Sequence, residues 1–362
     1  KHVRFAVMAE GFLRETVGAW PALRSVGAWP WAALRCVVEA VQPTADSWRR
    51  FVPRSGLEPR IYLVGGQGDR GSVSTLTLYD PANALWKQLT GMARARLDPG
   101  CVALGGKLYA AGGFEGRHGF ESSRSALVES LLEDFQGLDT AEVYDPQTDG
   151  WQPLAQMTTA RRAFGLAAVG GKIYAIGGSN GNVVLESAEV YDPQLDSWAL
   201  VASMSMKRVS HSSVVVGGKI YAMGGFVSLT KLDTVEAYDP QADSWQRMTS
   251  MPQALWAHAA AAMGGKIYVT GGCNKSSVNL ELGQLRSSVN SVCVYDPQAD
   301  AWTQLARMSV ARLGHASAAV RGKLYVFGGR DARRDPTSWP YLGTAEVYDP
   351  ASDSWAQGLS LT

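Results

Sequence analysis

The stretch WQPLAQMTTARRAFGLAAVGGKIYAIGG, residues 151–178, decides the fold, because its skeleton returns along the chain. Trp86, Trp151, Trp198, Trp245 and Trp302 each precede, at one constant interval, the first glycine of a pair: Gly112, Gly177, Gly224, Gly271 and Gly328. A tyrosine stands seven residues before each Trp, at Tyr79, Tyr144, Tyr191, Tyr238 and Tyr295, and Tyr348 with Trp355 adds a sixth pair. A unit of about this size, repeated in register and lengthened in places, is one supersecondary element copied.

Within the unit the apolar pattern is that of strands. FGLAAV (164–169) is a short run; a Gly-Gly-Lys turn follows and then KIYAIGG (172–178). A glycine pair between two short β-rich runs reads as a tight hairpin, since such turns require positive φ. SAEVYDP (187–193) is a third strand, and the turn DPQLDS leads through Trp198 into a fourth. Asp, Pro and Ser suit that turn by presetting φ and binding local amides. Each unit thus supplies four antiparallel strands, a to d. A lone four-stranded sheet cannot bury both faces; copies set radially can, with the Tyr and Trp of one blade packed on the next. Burial of a large apolar side chain contributes roughly 1.5–3 kcal/mol, so the repeated rings outweigh any single polar feature as fold determinants.

GGKIYAIGG, SAEVYDPQLDSW and MTTARRAFG resemble kelch motifs, and the resemblance covers about residues 56–362. It implies an all-β, six-bladed β-propeller. HVRFAVMAEGFLRETVGAWPALRS (2–25) resembles the later part of a BACK domain, the helical linker before the propeller of BTB–BACK–kelch (kelch-like) proteins. The expected organisation is a helical segment at 1–48, a linker at 49–58 and the propeller at 59–362. Trp31, Leu34, Val37, Val38 and Val41 are spaced as one helical face, and Met8, Phe12, Leu13, Val17 and Trp20 suggest an earlier helix. A rival reading takes VVEAVQPTADSW (37–48) as a further c–d pair. The interval from Trp48 to Gly65 is much shorter than that from Trp151 to Gly177, too short for blade 1 to hold its own strand a. In the family a C-terminal strand fills that place. The chain stops at Thr362, so the sequence predicts an open blade 1 whose closing strand lies beyond the end, with an exposed edge.

The chain has 362 residues, 46% hydrophobic, with a net charge of +1. That charge argues against nucleic-acid binding, which needs a basic face. No apolar run reaches the ~18–20 residues of a membrane span. Cys36, Cys101, Cys273 and Cys293 form no CxxC pair, and such sparse use suits a reducing compartment. The start at Lys1 without a signal peptide reads as a piece of a longer protein, cytoplasmic or nuclear.

Strand alternation puts the a–b and c–d turns on one face of the ring and the b–c and d–a loops on the other. From the glycine pair to the repeat Tyr, units 1, 3 and 4 share one short interval: Gly65 to Tyr79, Gly177 to Tyr191 and Gly224 to Tyr238. Units 2, 5 and 6 are longer by different amounts: Gly112 to Tyr144, Gly271 to Tyr295 and Gly328 to Tyr348. Length variation confined to one face of a repeat protein points to a recognition surface. The d–a loops carry Arg96, Arg161, Arg208, Leu255 and Arg312, each ten residues after its Trp. The b–c loops end on Thr75, Thr140, Ser187, Thr234, Ser291 and Thr344. These residues, with Trp256 and Arg330, are the expected partner contacts: guanidinium forks and hydroxyls around a mouth suited to an acidic peptide. The alternative is that each Arg pairs with a neighbouring blade. The unit 2 insert (114–138) holds an amphipathic, acidic stretch, read either as a rim helix or as a lid over the mouth.

His211, His258 and His315 each stand thirteen residues after a Trp on strand a, facing the channel. Packing and metal binding are both open to them, but no carboxylate is placed as a second shell. No GxSxG, HExxH or P-loop occurs. The expectation is a non-catalytic module without a cofactor. By resemblance to kelch-like proteins it would present a substrate to a cullin-3 RING ubiquitin ligase, held through a BTB domain outside this sequence. A cytoskeletal, actin-binding scaffold and a propeller enzyme with a histidine-bound metal are the alternatives.

Overall fold

The computed structural model describes residues 37–39, 61–68, 71–80, 85–116, 136–228, 230–274, 288–331 and 342–360. Six four-stranded antiparallel sheets follow one another, each ordered a-b-c-d. Blade 1 is β1 (Val37–Glu39), β2 (Ile61–Val64), β5 (Leu76–Asp80) and β6 (Leu85–Leu89), with a small ribbon of β3 (Gln67–Gly68) and β4 (Gly71–Ser72) in its b–c loop. Blade 2 is β7 (Gly100–Leu104), β8 (Lys107–Ala111), β9 (Ala141–Asp145) and β10 (Gly150–Leu154). Blade 3 is β11 (Gly165–Val169), β12 (Lys172–Ile176), β13 (Ala188–Asp192) and β14 (Ser197–Val201). Blade 4 is β15 (Ser212–Val216), β16 (Lys219–Met223), β19 (Val235–Asp239) and β20 (Ser244–Met248), with β17 (Phe226–Val227) and β18 (Thr230–Lys231) as its b–c ribbon. Blade 5 is β21 (Ala259–Met263), β22 (Lys266–Thr270), β23 (Val292–Asp296) and β24 (Ala301–Leu305). Blade 6 is β25 (Ala316–Val320), β26 (Lys323–Phe327), β27 (Thr344–Asp349) and β28 (Ser354–Ser360). The a-strands touch in a closed circle, β1 meeting both β7 and β25. This is the six-bladed propeller that the repeat predicts.

The repeat residues hold neighbouring blades together. The six tyrosines from Tyr79 to Tyr348 are buried, and each packs against its own Trp with the rings tilted by 34–43° and 4.6–5.3 Å between centroids. Apolar clusters run from blade to blade: Tyr174 and Ile176 of blade 3 pack with Ile220, Ala222 and Tyr238 of blade 4. A polar clamp accompanies them. In blade 3 the Tyr191 hydroxyl donates to Asp196 (2.8 Å). Asp196 also accepts from the Ala155 N–H of blade 2, and the Trp198 indole donates to the Ala155 carbonyl. The same set ties blade 2 to blade 1 through Thr90, and recurs at Ala202, Thr249 and Ala306. Asp196 adopts φ 45°, as do its equivalents at 44–49°, a conformation that Asp tolerates through local hydrogen bonds.

Blade 1 corrects two expectations. β1 pairs with β2 in the register Val37↔Leu63, Val38↔Tyr62, Glu39↔Ile61. Residues 37–39 are therefore strand, not part of a helical face, and they occupy the strand-a place expected to stand open. A short apolar run satisfies helical and strand spacing alike. Here the inner edge of β2, whose four residues are buried and whose backbone groups need partners, decides between them. The pairing is also not the c–d pair of the rival reading, since β1 is the inner strand. The rest of the expected helical segment and the linker lie outside the described residues.

Candidate functional site

The b–c and d–a loops surround one end of the central channel. The d–a arginines do not face it. Arg96, Arg161, Arg208 and Arg312 are 0% exposed. Each leaves the preceding blade by its backbone and enters the next by its side chain. Arg161 is joined to blade 2, its N–H donating to Leu138 and its carbonyl accepting from Gly113. Its guanidinium donates to the Gly177 and Ser187 carbonyls, the Ser187 hydroxyl and Glu189 of blade 3, the last at 2.9 Å. Arg96–Glu142 (2.9 Å), Arg208–Glu236 (2.7 Å) and Arg312–Glu346 (3.1 Å) repeat the arrangement. Each glutamate also accepts from the d–a loop backbone, at Ala93, Thr158, Ser205 and Ser309. Burial is the largest influence on the Arg161 and Arg208 guanidinium groups and lowers their pKa, opposed by Glu189 and Glu236.

The expectation that these four arginines contact a partner is therefore corrected: they are inter-blade staples, with their Nη donors committed inside the protein. Thr140, Ser187, Thr234 and Thr344 accept from the same guanidinium groups, so their hydroxyls belong to the staples too. Leu255 is buried in the apolar cluster that also contains Met251, Ile267 and Cys293, and offers no apolar flank to solvent. Ser291, half-buried, has this leucine in place of an arginine in its register. Trp256 is 6% exposed and meets Phe226 edge-on at 5.5 Å. Half-buried Arg330 is tied by its backbone to Leu313 at the mouth.

The staple carboxylates were missed, although the sequence carries a signal for them. Glu142, Glu189, Glu236 and Glu346 each stand two residues before the repeat Tyr. The one unit entered by Leu255 instead of Arg has Cys293 at that place. Arginine and glutamate are lost together, as expected for partners that would each be costly to bury alone.

His211, His258 and His315 are buried in the seams beside the channel. A Cβ built on Gly177, Gly224 or Gly271 would lie 3.1, 2.8 or 2.6 Å from the Cε1 of His211, His258 or His315 respectively. Phe164 fills the same place against Gly112. The glycine pair thus makes room for a ring from the next blade, which gives the imidazoles a packing role. His315 Nε2 is also 2.9 Å from the Thr270 hydroxyl. Among the described residues no group of three or more His, Cys, Asp or Glu is arranged to hold a metal ion. The channel encloses a cavity of about 150 Å³ lined by Asp98, Phe164, the three histidines and Ser213.

At the mouth the d–a and b–c loops are joined by bridged rungs: Leu97–Phe114, Arg162–Ser179, Val209–Phe226, Trp256–Cys273 and Leu313–Arg330. Of these residues only Phe226 and Arg330 are partly exposed, and the rest are buried. Arg162 lies over the Phe114 ring at 5.5 Å from its centroid. Blades 4 to 6 form the apolar sector, where Trp256, Ala257, Cys273, Leu313 and Phe226 cluster. The Ser288 hydroxyl, at the end of blade 5's b–c loop, donates to Asp331 in that of blade 6 at 3.0 Å. Most of the unit 2 insert lies outside the described residues, and so do both readings of it.

Comparison with known proteins agrees with this architecture. The Danio rerio Kelch-like ECH-associated protein 1B is 31% identical over 121 residues, 33% of this chain and 18% of that protein. The Mus musculus Influenza virus NS1A-binding protein homolog is 36% identical over 102 residues, 28% of this chain and 13% of its own length. The matched regions therefore span less than a fifth of these relatives. The solved structure of YjhT superposes with a TM-score of 0.68 at 15% identity, over 92% of this chain and 99% of YjhT, a likeness of fold. The family model described as the KLHDC2/KLHL20/DRC7 Kelch-repeats domain matches residues 166–359, more than half of the 362, and the chain belongs to that kelch-repeat family.

Proposed function

We propose that this propeller is a protein-recognition module that captures a partner at the b–c/d–a face. Within a BTB-containing full-length protein, it presents that partner to a cullin-3 RING ligase in the cytoplasm or nucleus. The observation that carries the reading is the difference between the two faces. On one, the c–d turns and the a–b turns of blades 2 to 6 are uniform, fixed by Tyr–Asp–Trp clamps and by pairs such as Lys172–Asp192 (3.1 Å), the longer connection from β1 to β2 in blade 1 being the exception. On the other, the glycine-to-tyrosine interval more than doubles between Gly177–Tyr191 and Gly112–Tyr144. Variation that the fold does not need is available for recognition. The ligase link comes from the resemblance to kelch-like proteins.

With the four arginines inside the ring, the case for an acidic ligand rests on fewer cations, chiefly Arg330. Phe226, two rungs along the ring from it, adds an apolar contact. The test is affinity capture with the full-length protein, wild type and Phe226→Ala/Arg330→Glu. The proposal expects cullin-3 with both forms and loss of the substrate from the variant alone. Capture of cytoskeletal proteins without cullin-3 would replace the ligase reading with the scaffold. Unchanged capture by the variant would remove this face as the site.

A further inference from the structure

The repeats serve as controls for one another, and blade 3 departs from them on its outer edge. Two residues after the repeat Trp the units carry Gln88, Pro153, Leu200, Arg247, Gln304 and Gln357. Four residues after the repeat Tyr they carry Asn83, Thr148, Leu195, Ala242, Ala299 and Ser352. Leucine appears at each place once, and both times in blade 3. Leu195 is 73% exposed and Leu200 65%, and among the described residues only Leu85 and Val183 join them as exposed large apolar side chains. Neither leucine is needed by the fold, since five other blades form without one there.

β14 is the last strand of its sheet, so among the described residues its outer backbone edge has no strand beside it. Its sequence, SWALV, has no charge and no proline. Those are the usual protections of an edge against pairing with another chain. The neighbouring d-strand β10 has Pro153, β6 has Lys87 and β20 has Arg247. β24 and β28 are uncharged but present Gln304 and Gln357.

We propose that β14 is the pairing edge of a homodimer, antiparallel about a two-fold axis through Ala199. A second copy is the occupant this strand fits, because SWALV is self-complementary when paired antiparallel about Ala199: each apolar Leu200 meets a Trp198, each Val201 a Ser197, and neither copy brings a charge to be buried. The register places Leu200 opposite Trp198 of the other copy. Trp198 is half-buried, and its indole is fixed on the Ala155 carbonyl. Opposed side chains share a sheet face, and an aliphatic–aromatic pair across strands is favourable. Ser197 then meets Val201 on the opposite face, and Leu195 extends the apolar surface beyond the strand. Five residues and two leucines fall short of the ~1,200 Å² buried in stable complexes, so the dimer is weak, forming at roughly tens to hundreds of micromolar. This surface is on the outer rim, apart from the channel mouth, and does not depend on the proposed substrate capture.

The test is sedimentation equilibrium of the 362-residue chain up to about 500 µM. The proposal expects concentration-dependent dimers for the wild type, and monomers for Leu200→Arg and Leu195→Ala/Leu200→Arg with unchanged far-UV circular dichroism. These substitutions copy residues that blade 4 already carries at the same places, so they fit the repeat. Ala199→Cys, which would meet its own copy at the axis, is expected to form a disulfide-linked dimer under mild oxidation that the wild type does not. A wild type monomeric throughout overturns the proposal, as does dimerisation unaffected by Leu200→Arg. Failure of Ala199→Cys to cross-link overturns the register.

Discussion

Copying the blade 4–blade 5 seam into another seam tests the staple directly. Arg161→Leu alone removes the cation from Glu189, whose side chain is 0% exposed. The carboxylate keeps the Thr158 and Thr159 N–H donors but loses its counter-charge, and the Gly177 and Ser187 carbonyls each lose a donor. Breaking a buried ion pair from one side costs about 3–5 kcal/mol. Unfolding entropy of ~2.1 cal/mol/K per residue over ~300 residues gives ~1.6 °C per kcal/mol, so the melting temperature should fall by roughly 5–8 °C. Arg161→Leu/Glu189→Cys installs the combination found naturally as Leu255 and Cys293. Replacing a buried pair by apolar groups is often close to neutral, and the two unsatisfied carbonyls bring the expected loss to about 1–2 kcal/mol. The double variant should then be more stable than Arg161→Leu by about 2–3 kcal/mol. Because Glu189→Cys alone strands the buried guanidinium at a cost of about 3–5 kcal/mol, the coupling between the two substitutions exceeds that difference. Equilibrium urea denaturation of wild type, both single variants and the double variant measures it. A double variant no more stable than Arg161→Leu would refute the account of Glu189 as a buried charge needing this partner.

Acid should loosen the blade clamps. The carboxyls of Asp149, Asp243 and Asp300 are held below the usual range chiefly by the Tyr144, Tyr238 and Tyr295 hydroxyls, and those of Asp196 and Asp353 chiefly by the Ala155 and Ala306 N–H groups. A depressed folded pKa stabilises above the unfolded value of about 4, and that stabilisation is lost as pH falls through the folded value. The melting temperature should therefore hold from about pH 7 to 5 and decline below about 4; a flat profile down to about pH 3 would contradict the clamp. Gly177→Ala should destabilise by more than about 2 kcal/mol, since φ is +58° and the new Cβ would lie 2.8 Å from the Arg208 carbonyl and 3.1 Å from His211 Cε1. The same substitution at Gly170, also at positive φ but with nothing within 4 Å, should cost only the backbone strain of roughly 1 kcal/mol. Equal losses would show that the imidazole does not press on the glycine.

The sequence alone determined the number of blades, the place of strands a to d in five of them, and which loops share a face. These follow from the periods of Trp, Tyr and Gly-Gly, because a repeated unit forces the same hydrogen bonds and ring contacts in every copy. It determined the place of the arginine series in each d–a loop but not where the side chains point: ten residues after a Trp is compatible with the mouth or with the seam. Only the tertiary structure decided that Arg161 turns into the next blade, where Glu189 and two carbonyls compensate the cost of removing it from water. It likewise decided that Val37–Glu39 is the inner strand of blade 1. So short a segment carries too little local preference to choose a conformation, and a partner edge well downstream, at Ile61–Val64, supplies the choice.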